Sequence, residues 1–505
     1  MISLESKYVS TKIKFILSNG ISFELNTSSN NYKYNYITLL KISEAISAEN
    51  DLPIGVNTGN VLDLEITSDD KMLIPENEAS IYYGYMDKYA KLEVTVSTDT
   101  KDYFFGRYFV DSWKSNITSD THNSVVISAT NVMSYISKME TPDASINNTE
   151  DIKSYLIEII EKINSSLDVE DKIKVNENNL SFKAFPLMYY PNLPIDNMSN
   201  TLNSLSQCTL TNIFTDRENN LCTDYNCDDS FAEAEYELKV LTSAECGTGN
   251  LVNYDGVKVN YSNGNIKDVE QLSGVSDQDI SAGDNKIENI SLGENVYKIN
   301  RIECIPEDAG VFIGIKSATY NKSRMSLMLD CSDYTSTSIN VYGQRMDDTE
   351  LVRETGGNNK LELNNKVLNK EYIPKYVDNL YALMSIKNNS IQVSGYFTPE
   401  LTLSQIVYVN AVGAMNVSGY YKVVSIDWDI SAYCEATVKL IKTFTMPYNV
   451  NTLTDRLNEL LEKRLKGYSV SSESFVSLTD SENNSVNNEL SVPLTELRTK
   501  LYGGN

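Results

Sequence analysis

The sequence has few of the residues on which enzymatic and metal-binding sites usually depend. It contains one histidine, His122, and seven cysteines among 505 residues, and no cysteine occurs before Cys208. A single histidine excludes multi-histidine zinc sites, and a Ser/His or Cys/His catalytic pair would depend on this one residue. His122 lies in the polar stretch 119–123, where we expect an ordinary surface histidine in a loop.

The cysteines are too sparse for the disulfide framework of a small secreted domain, so folding in a reducing compartment fits best. Cys222 and Cys227 are five positions apart, with Cys208 and Cys246 nearby, and this spacing matches neither a CxxC knuckle nor a zinc ribbon. We predict buried or half-buried thiols. A redox or metal site made of cysteines alone remains the alternative.

Long apolar segments are missing as well. No run of about 20 apolar residues occurs, and the stretch 1–15 lacks the apolar core of a signal peptide. We therefore expect a soluble chain with no transmembrane segment that is not exported by the Sec route. The 43 basic and 69 acidic residues give a formal net charge of -26, which repels phosphate backbones. Nucleic acid binding is not expected, whereas Ca²⁺ or basic partner subunits stay open.

Motifs for nucleotide binding and for acid–base catalysis are weak. The glycines of 310–314 are not followed by Lys-Ser/Thr, and 247–249 lacks a third glycine. A glycosidase carboxylate pair is defined by its separation in space, which sequence does not show. The acids Glu233, Glu235 and Glu237 line one face of a predicted strand, as solvated residues do. We predict no catalytic residue, no bound metal and no cofactor.

Short alternating segments dominate what is present. Stretches such as Lys12–Leu17, Val61–Ile66 and Lys91–Val96 alternate apolar with polar residues, which predicts half-buried antiparallel strands. The predicted fold class is mainly β with minor α, built from several antiparallel β-sandwich or barrel domains with short helices. The predicted regions are an N-terminal β-domain (1–140), an α+β domain (141–250), a β-domain (251–368), a closing β-domain (369–446) and a helical tail (447–505).

Helical periodicity appears in a few places. The stretch 150–165 places Ile152, Leu156, Ile159, Ile160 and Ile163 on one face behind the capping residue Thr149. A shorter helix is predicted over 196–208, followed by a hairpin over 211–225. Another helix is predicted over 370–384 despite Pro374.

The tail after residue 446 has helical spacing too, around a Ser/Asn-rich linker. Amphipathic helices on a flexible tether favour docking onto a partner, and packing back onto the same chain is the alternative. The candidate partner-docking residues are Leu453, Leu457, Leu460, Leu461, Leu494, Leu497 and Leu501.

The order of motifs resembles that of bacteriophage tail and baseplate hub proteins, also found in phage-tail-like bacteriocins. The segment Phe105–Trp113 (FGRYFVDSW) followed by Val125–Asn131 (VVISATN) is similar to the two strands of the family's N-terminal β-domain. The stretch 200–221 is similar to the family's helix that runs into an "I-x-x-D-x-D-G-x-L" hairpin. Here Asn219-Asn220 replaces the customary glycine turn, and asparagine tolerates the left-handed conformation that glycine would supply.

The closing segment, 376–442, resembles the family as well. It contains Pro399–Val409 (PELTLSQIVYV), Gly419–Ile426 (GYYKVVSI) and Glu435–Leu440 (EATVKL), and Ser404-Gln405 replaces the family's Gly-Asp. The resemblance implies a ring-forming, typically homotrimeric, non-enzymatic subunit whose tail-tube-like domains continue the tail tube. It also implies contacts with spike, tape-measure end or baseplate arms in a contractile or non-contractile virion tail or tail-like particle, assembled in the bacterial host cytoplasm.

Two other functions remain open from the sequence. The 33 tyrosines suit sugar-stacking surfaces, as in a receptor-binding tail protein that recognises cell-surface glycans. A tail-associated cell-wall hydrolase using two carboxylates is the second alternative.

Overall fold

The computed structural model describes residues 2–3, 8–27, 35–46, 59–119, 122–142, 152–180, 197–225, 236–238, 241–246, 254–321, 323–365, 367–368, 370–387, 391–411, 417–430 and 433–442. Strands far outnumber helices within these ranges, and the sheets are mostly antiparallel, which confirms the predicted mainly β fold. No helix in the described part is long and apolar enough to cross a bilayer. Residues 1–445 form one compact unit.

The secondary structure follows the chain in three stretches. The first contains β1 (Ile2–Ser3), β2 (Ser10–Ile16), β3 (Ser22–Asn26), β4 (Asn35–Ala45), β5 (Val61–Ser68), β6 (Lys91–Ser97), β7 (Asp102–Ser119), β8 (His122–Thr130) and α1 (Val132–Ser137). The second contains α2 (Ile152–Asn164), α3 (Met198–Thr209), β9 (Thr211–Thr215), β10 (Leu221–Tyr225), β11 (Tyr236–Leu238), β12 (Leu241–Cys246) and β13 (Gly256–Ser262). The third contains β14 (Glu270–Ile280), β15 (Gly283–Ser291), β16 (Val296–Pro306), β17 (Ile313–Asn321), β18 (Arg324–Cys331), β19 (Thr335–Arg345), β20 (Glu350–Gly356), β21 (Lys360–Asn364), α4 (Ile373–Lys387), β22 (Ile391–Tyr396), β23 (Ile406–Ala411), β24 (Val417–Ile430) and β25 (Cys434–Lys442).

One large sheet of 14 strands joins the two ends of this unit. Its main path is β1-β11-β23-β24-β4-β5-β8-β7-β6-β2-β3, and β25, β22 and β12 branch from β24. Strands β4 and β24 are antiparallel, with Ile42 opposite Trp428. The regions predicted as N-terminal and closing β-domains therefore share one sheet, while the predicted domain boundaries stay predictions.

The alternating patterns create the core of this sheet. In β2 every second residue is buried, so Ile13 and Phe15 are covered while Lys12 and Lys14 lie toward solvent. The buried residues of β2, of β4–β8 and of β22–β25 form a single cluster, in which Phe105 and Trp428 meet edge to face with ring centroids 5.5 Å apart. Burial of this apolar surface is what holds the two ends of the unit together.

A second β structure is inserted between β13 and β20. Strands β13, β20 and β21 form a three-stranded sheet, and the intervening chain forms two more, β14-β19-β16 and β15-β18-β17. A core of its own, which includes Leu292, Leu329 and Val341, supports these two sheets. We call residues 270–345 the inserted sandwich.

The helices lie close to their predicted positions. Helix α2 buries all five predicted isoleucine and leucine side chains. Helix α3 begins after Asn197, whose side chain accepts a hydrogen bond from the Asn200 amide at 2.9 Å, and ends at Leu210 with a left-handed φ of 53°. Pro374 occupies the first turn of α4, where its missing N–H costs nothing.

Candidate functional site

The predicted site residues are only partly covered by the structure. The candidate docking leucines, Leu453, Leu457, Leu460, Leu461, Leu494, Leu497 and Leu501, lie outside the described residues, so their role stays a prediction. His122 begins β8 and pairs with Ser119, which corrects the prediction of a loop at this position. In the part of the chain that is described, no group of three or more His, Cys, Asp or Glu is arranged to hold a metal ion.

Five cysteines, Cys208, Cys222, Cys304, Cys331 and Cys434, are free of disulfide bonds, and three of them are poor nucleophiles. Burial raises the pKa of the Cys208 thiol to about 12, and burial likewise raises that of Cys434 to about 12. The pKa of Cys222 is also about 12, first because of burial and then because of the nearby Asp216 carboxylate. Since the thiolate is the reactive form, these residues behave as small apolar side chains.

A buried arginine connects the β9–β10 hairpin to the large sheet. Arg217 donates to Glu44 through Nε at 2.8 Å and through Nη2 at 2.7 Å, and its side chain is only 10% exposed. It also donates to the carbonyls of Pro399 and Leu401 at 2.7 and 3.0 Å. Four hydrogen bonds thus fix one side chain between β4 and the connection from β22 to β23.

Aromatic rings cover this ion pair. The guanidinium carbon of Arg217 lies 4.0 Å from the ring centroid of Phe105 and 5.6 Å from that of Trp428. The indole Nε1 of Trp428 donates to Glu44 Oε2 at 2.9 Å. Burial acts to lower the pKa of Arg217, but the charge of Glu44 and the hydrogen bonds to it outweigh burial and leave the pKa raised. The guanidinium therefore stays charged. We call Glu44, Phe105, Arg217 and Trp428 the Arg217 cluster.

The turn that carries Arg217 is formed by short-range hydrogen bonds. Asp216 Oδ1 accepts from the amides of Glu218 and Asn220 at 2.9 and 2.8 Å. Asn219 has a left-handed φ of 61°, which confirms the conformation predicted for asparagine at this position. The turn of Ser404 behaves similarly, because its φ of 65° preserves the conformation that glycine would favour. Both turns therefore contain a left-handed residue other than glycine.

A second group of ion pairs connects the turn after α2 to the same sheet. Arg107 of β7 contacts Glu170 at 2.9 Å, Glu93 at 3.1 Å and, through Nε, the buried Asp171 at 2.9 Å. Lys91 of β6 contacts Asp171 as well. We call these five residues the Arg107 cluster. The α2–β10 stretch is therefore bound to the sheet through two separate charge clusters.

A cleft of about 670 Å³ lies beside the Arg217 cluster. Its walls include Tyr103, whose hydroxyl donates to Glu400 at 3.0 Å, and the half-buried Cys222. Burial first, and the hydrogen bond to Glu400 second, raise the pKa of Tyr103 to about 12. Tyr103 and Glu400 lie far apart in the sequence, so their hydrogen bond helps to hold two distant parts of the chain together.

An irregular loop between β5 and β6 exposes apolar surface near the large sheet. Residues 69–90, here called the aromatic loop, expose Ile81 (70%), Tyr83 (47%), Tyr85 (41%) and Tyr89 (66%). Sequence reasoning missed this surface because tyrosine is spread through the whole chain. Five of the six residues 81–86 are apolar or aromatic, and this density in a stretch without strand or helix periodicity could have indicated an exposed apolar loop.

Hydrogen bonds keep the aromatic loop ordered. Ser80 Oγ donates to the Met72 carbonyl at 2.6 Å, and the indole of Trp113 donates to the Leu73 carbonyl at 3.1 Å. Asp87 Oδ1 accepts from the Tyr89 amide at 2.8 Å. Tyr82 stacks on Phe23 of β3, with ring centroids 4.6 Å apart. The exposed rings therefore stand on a fixed base, so little conformational entropy is lost when they are covered.

Comparison with known proteins gives matches only among solved structures. No protein-family model matches the sequence, and no curated protein matches it. The 43 kDa tail protein of prophage MuSo2 from Shewanella oneidensis aligns at 10% identity and a TM-score of 0.45, over 86% of this chain and 98% of its own. A tail protein from Neisseria meningitidis MC58 aligns at 8% identity and 0.44, over 86% and 96%. Prophage tail protein gp18 from Listeria monocytogenes EGD-e aligns at 10% identity and 0.39, over 89% and 99%. All three are named tail proteins.

Proposed function

We propose that this chain is a structural subunit of a phage-type tail rather than an enzyme. It would lie at the hub, tip or baseplate, as a homotrimer or other ring, and join the tail tube to spike or baseplate proteins by protein–protein contacts. Its location would be the virion tail or a phage-tail-like particle, with assembly in the host cytoplasm. The resemblance of motifs from residue 105 to residue 440 supports this family.

The single observation that carries the proposal is the ordered aromatic loop. Exposed apolar surface on a rigid base is typical of protein–protein interfaces, where tyrosine is enriched and becomes buried. Tyr83, Tyr85 and Tyr89 lie beside Ile81, and Ser18 of the β2–β3 turn donates to the Tyr85 carbonyl at 3.4 Å. The loop therefore adjoins the edge of the large sheet, where another subunit can bind rings and backbone together.

Assembly of particles tests this proposal. The double variant Tyr83→Asp/Tyr89→Asp should reduce incorporation of the chain into tail particles at least tenfold, because two carboxylates would be buried in an interface. Tyr381→Asp is the matched control, since Tyr381 is 42% exposed on α4. Circular dichroism should show unchanged folding for both.

Electron microscopy of particles carrying a labelled chain gives the position. A label on the tail axis at the distal end of the tube supports the hub. A label at the periphery, or normal incorporation of the double variant, contradicts it. Binding of glycans by the purified chain, lost in the double variant, would favour a receptor-binding role instead.

A further inference from the structure

We infer that the free end of the inserted sandwich is a second docking surface, which binds a basic segment of another protein of the particle. The inference rests on the proposed function in that its occupant is a tail component. It concerns a different surface from the aromatic loop, on a β structure with its own core.

The strand order places three connections at one end of the inserted sandwich. Register places Ile280 opposite Thr335, Pro306 opposite Thr337, and Cys331 opposite both Gly283 and Ile313. The β14–β15, β16–β17 and β18–β19 connections therefore lie together. The chain enters and leaves the sandwich at the opposite end, where Ile266 pairs with Met346. We call the end with the three connections the distal end.

The distal end exposes two aromatic rings in fixed positions. Phe312 is 72% exposed and Tyr334 is 61% exposed. The backbone of Phe312 is bound to Ser332 by two hydrogen bonds, of 2.9 and 3.0 Å. Thr335 Oγ1 donates to Asp308 Oδ2 at 3.0 Å, and this hydrogen bond joins the β18–β19 connection to the β16–β17 connection. Exposed rings on ordered loops are suited to binding, because little conformational entropy remains to be lost when a partner covers them.

The charge of the distal end specifies the kind of partner. The stretches 276–284, 307–312 and 332–334 contain no lysine or arginine and six carboxylates: Asp277, Asp279, Asp284, Glu307, Asp308 and Asp333. Asp284 is paired with Lys316 of β17, so the excess negative charge comes from the other five. The Tyr334 hydroxyl donates to Asp279, and this hydrogen bond is the main reason that its pKa is raised. Aromatic rings surrounded by carboxylates favour lysine or arginine, through charge pairing at the rim and cation–π contact at the centre. An acidic or uncharged partner would gain neither.

A photocrosslink from Phe312 in assembled particles tests this inference. Phe312→p-benzoylphenylalanine should give, on irradiation, an adduct with another protein of the particle, at a peptide that contains lysine or arginine. The same replacement at Val169, which is 82% exposed elsewhere on the unit, is the control position and should give a different adduct or none. Glu307→Gln/Asp333→Asn in the same chain should lower the yield of the Phe312 adduct about fivefold, because the charge complementarity is lost.

The outcomes separate this inference from the proposed function. Absence of the chain from every tail particle refutes both. Particles that contain the chain but give no Phe312 adduct refute the distal-end interface alone. An adduct only with a second copy of this chain, with a glycan, or with a peptide lacking basic residues also refutes it. A yield that is unchanged in the Glu307→Gln/Asp333→Asn variant refutes the role of charge.

Discussion

Replacement of Arg217 by methionine should destabilise the large sheet strongly. The variant keeps an apolar stem of similar length but leaves the Glu44 carboxylate, which is 3% exposed, with the Trp428 indole as its remaining partner from the Arg217 cluster. Breaking a buried ion pair on one side costs about 3–5 kcal/mol, because a charge is left in a poorly solvated place. The carbonyls of Pro399 and Leu401 lose their donor as well.

Urea unfolding followed by fluorescence measures this cost at the site itself. The chain has two tryptophans, so Trp113→Phe leaves Trp428, which contacts Glu44 directly, as the reporter. In this background Arg217→Met should lower the free energy of unfolding by about 3–5 kcal/mol. Arg301→Met is the control, because this arginine is 61% exposed beside Glu303, and exposed pairs contribute about 1 kcal/mol or less.

A double-mutant cycle separates charge from packing. Glu44→Gln keeps an oxygen acceptor for Trp428 while removing the charge, so the double variant Arg217→Met/Glu44→Gln should be more stable than Arg217→Met by about 1–3 kcal/mol. A loss below about 1 kcal/mol for Arg217→Met would refute the reasoning. So would a double variant no more stable than Arg217→Met, because the penalty would then not come from the orphaned carboxylate.

Two further predictions concern the turn after α2 and the turn that contains Ser404. Hydrogen bonds to Lys91 and to Arg107 lower the pKa values of Asp168 and Glu170, respectively, so their stabilising contribution is present above the ordinary carboxylate pKa and is lost as pH falls through the lowered values. Hydrogen exchange of the amides of 165–175, corrected for intrinsic rates, should therefore accelerate from pH 7 to pH 3. In the Arg107→Gln variant these amides should exchange fast already at pH 7. A pH response in the variant identical to that of the unmodified chain would contradict the assignment. Ser404→Gly should raise the free energy of unfolding by about 0.5–1 kcal/mol, because it relieves a left-handed φ of 65°. The control Ser425→Gly, in the extended strand β24, should lower the free energy of unfolding by a similar amount. Calorimetry that shows both variants changing the free energy of unfolding in the same direction would count against this explanation.

Local patterns predicted the elements well, because they depend on neighbouring residues. The alternation of Lys12–Leu17 reports which face of β2 is buried, and the spacing of Ile152 and Ile159 reports the buried face of α2. The left-handed Asn219 was expected because the resembling motif has a glycine turn here, and asparagine tolerates that conformation. None of these features requires knowledge of what the element contacts.

Pairing between distant strands was not predictable in the same way. Nothing in the 41–45 stretch indicates that it lies beside 425–429, because every amphipathic strand offers similar backbone groups to a neighbour. The Arg217 cluster depends on this pairing, so its members could not be assembled from spacing alone. The exposure of Ile81 and Phe312 also depends on which surfaces the fold leaves uncovered.

The pairing of β4 with β24 has a consequence for synthesis on the ribosome. Glu44 and Trp428, which are hydrogen bonded in the finished sheet, are separated by 384 positions in the chain. At about 5–20 residues per second, roughly 20–80 seconds pass between the translation of these two residues. During that interval β4 lacks its neighbour β24, and one of its edges is open to other strands. Chains that end early therefore cannot complete the large sheet, so a correctly paired β4 marks a chain that has been translated through β24.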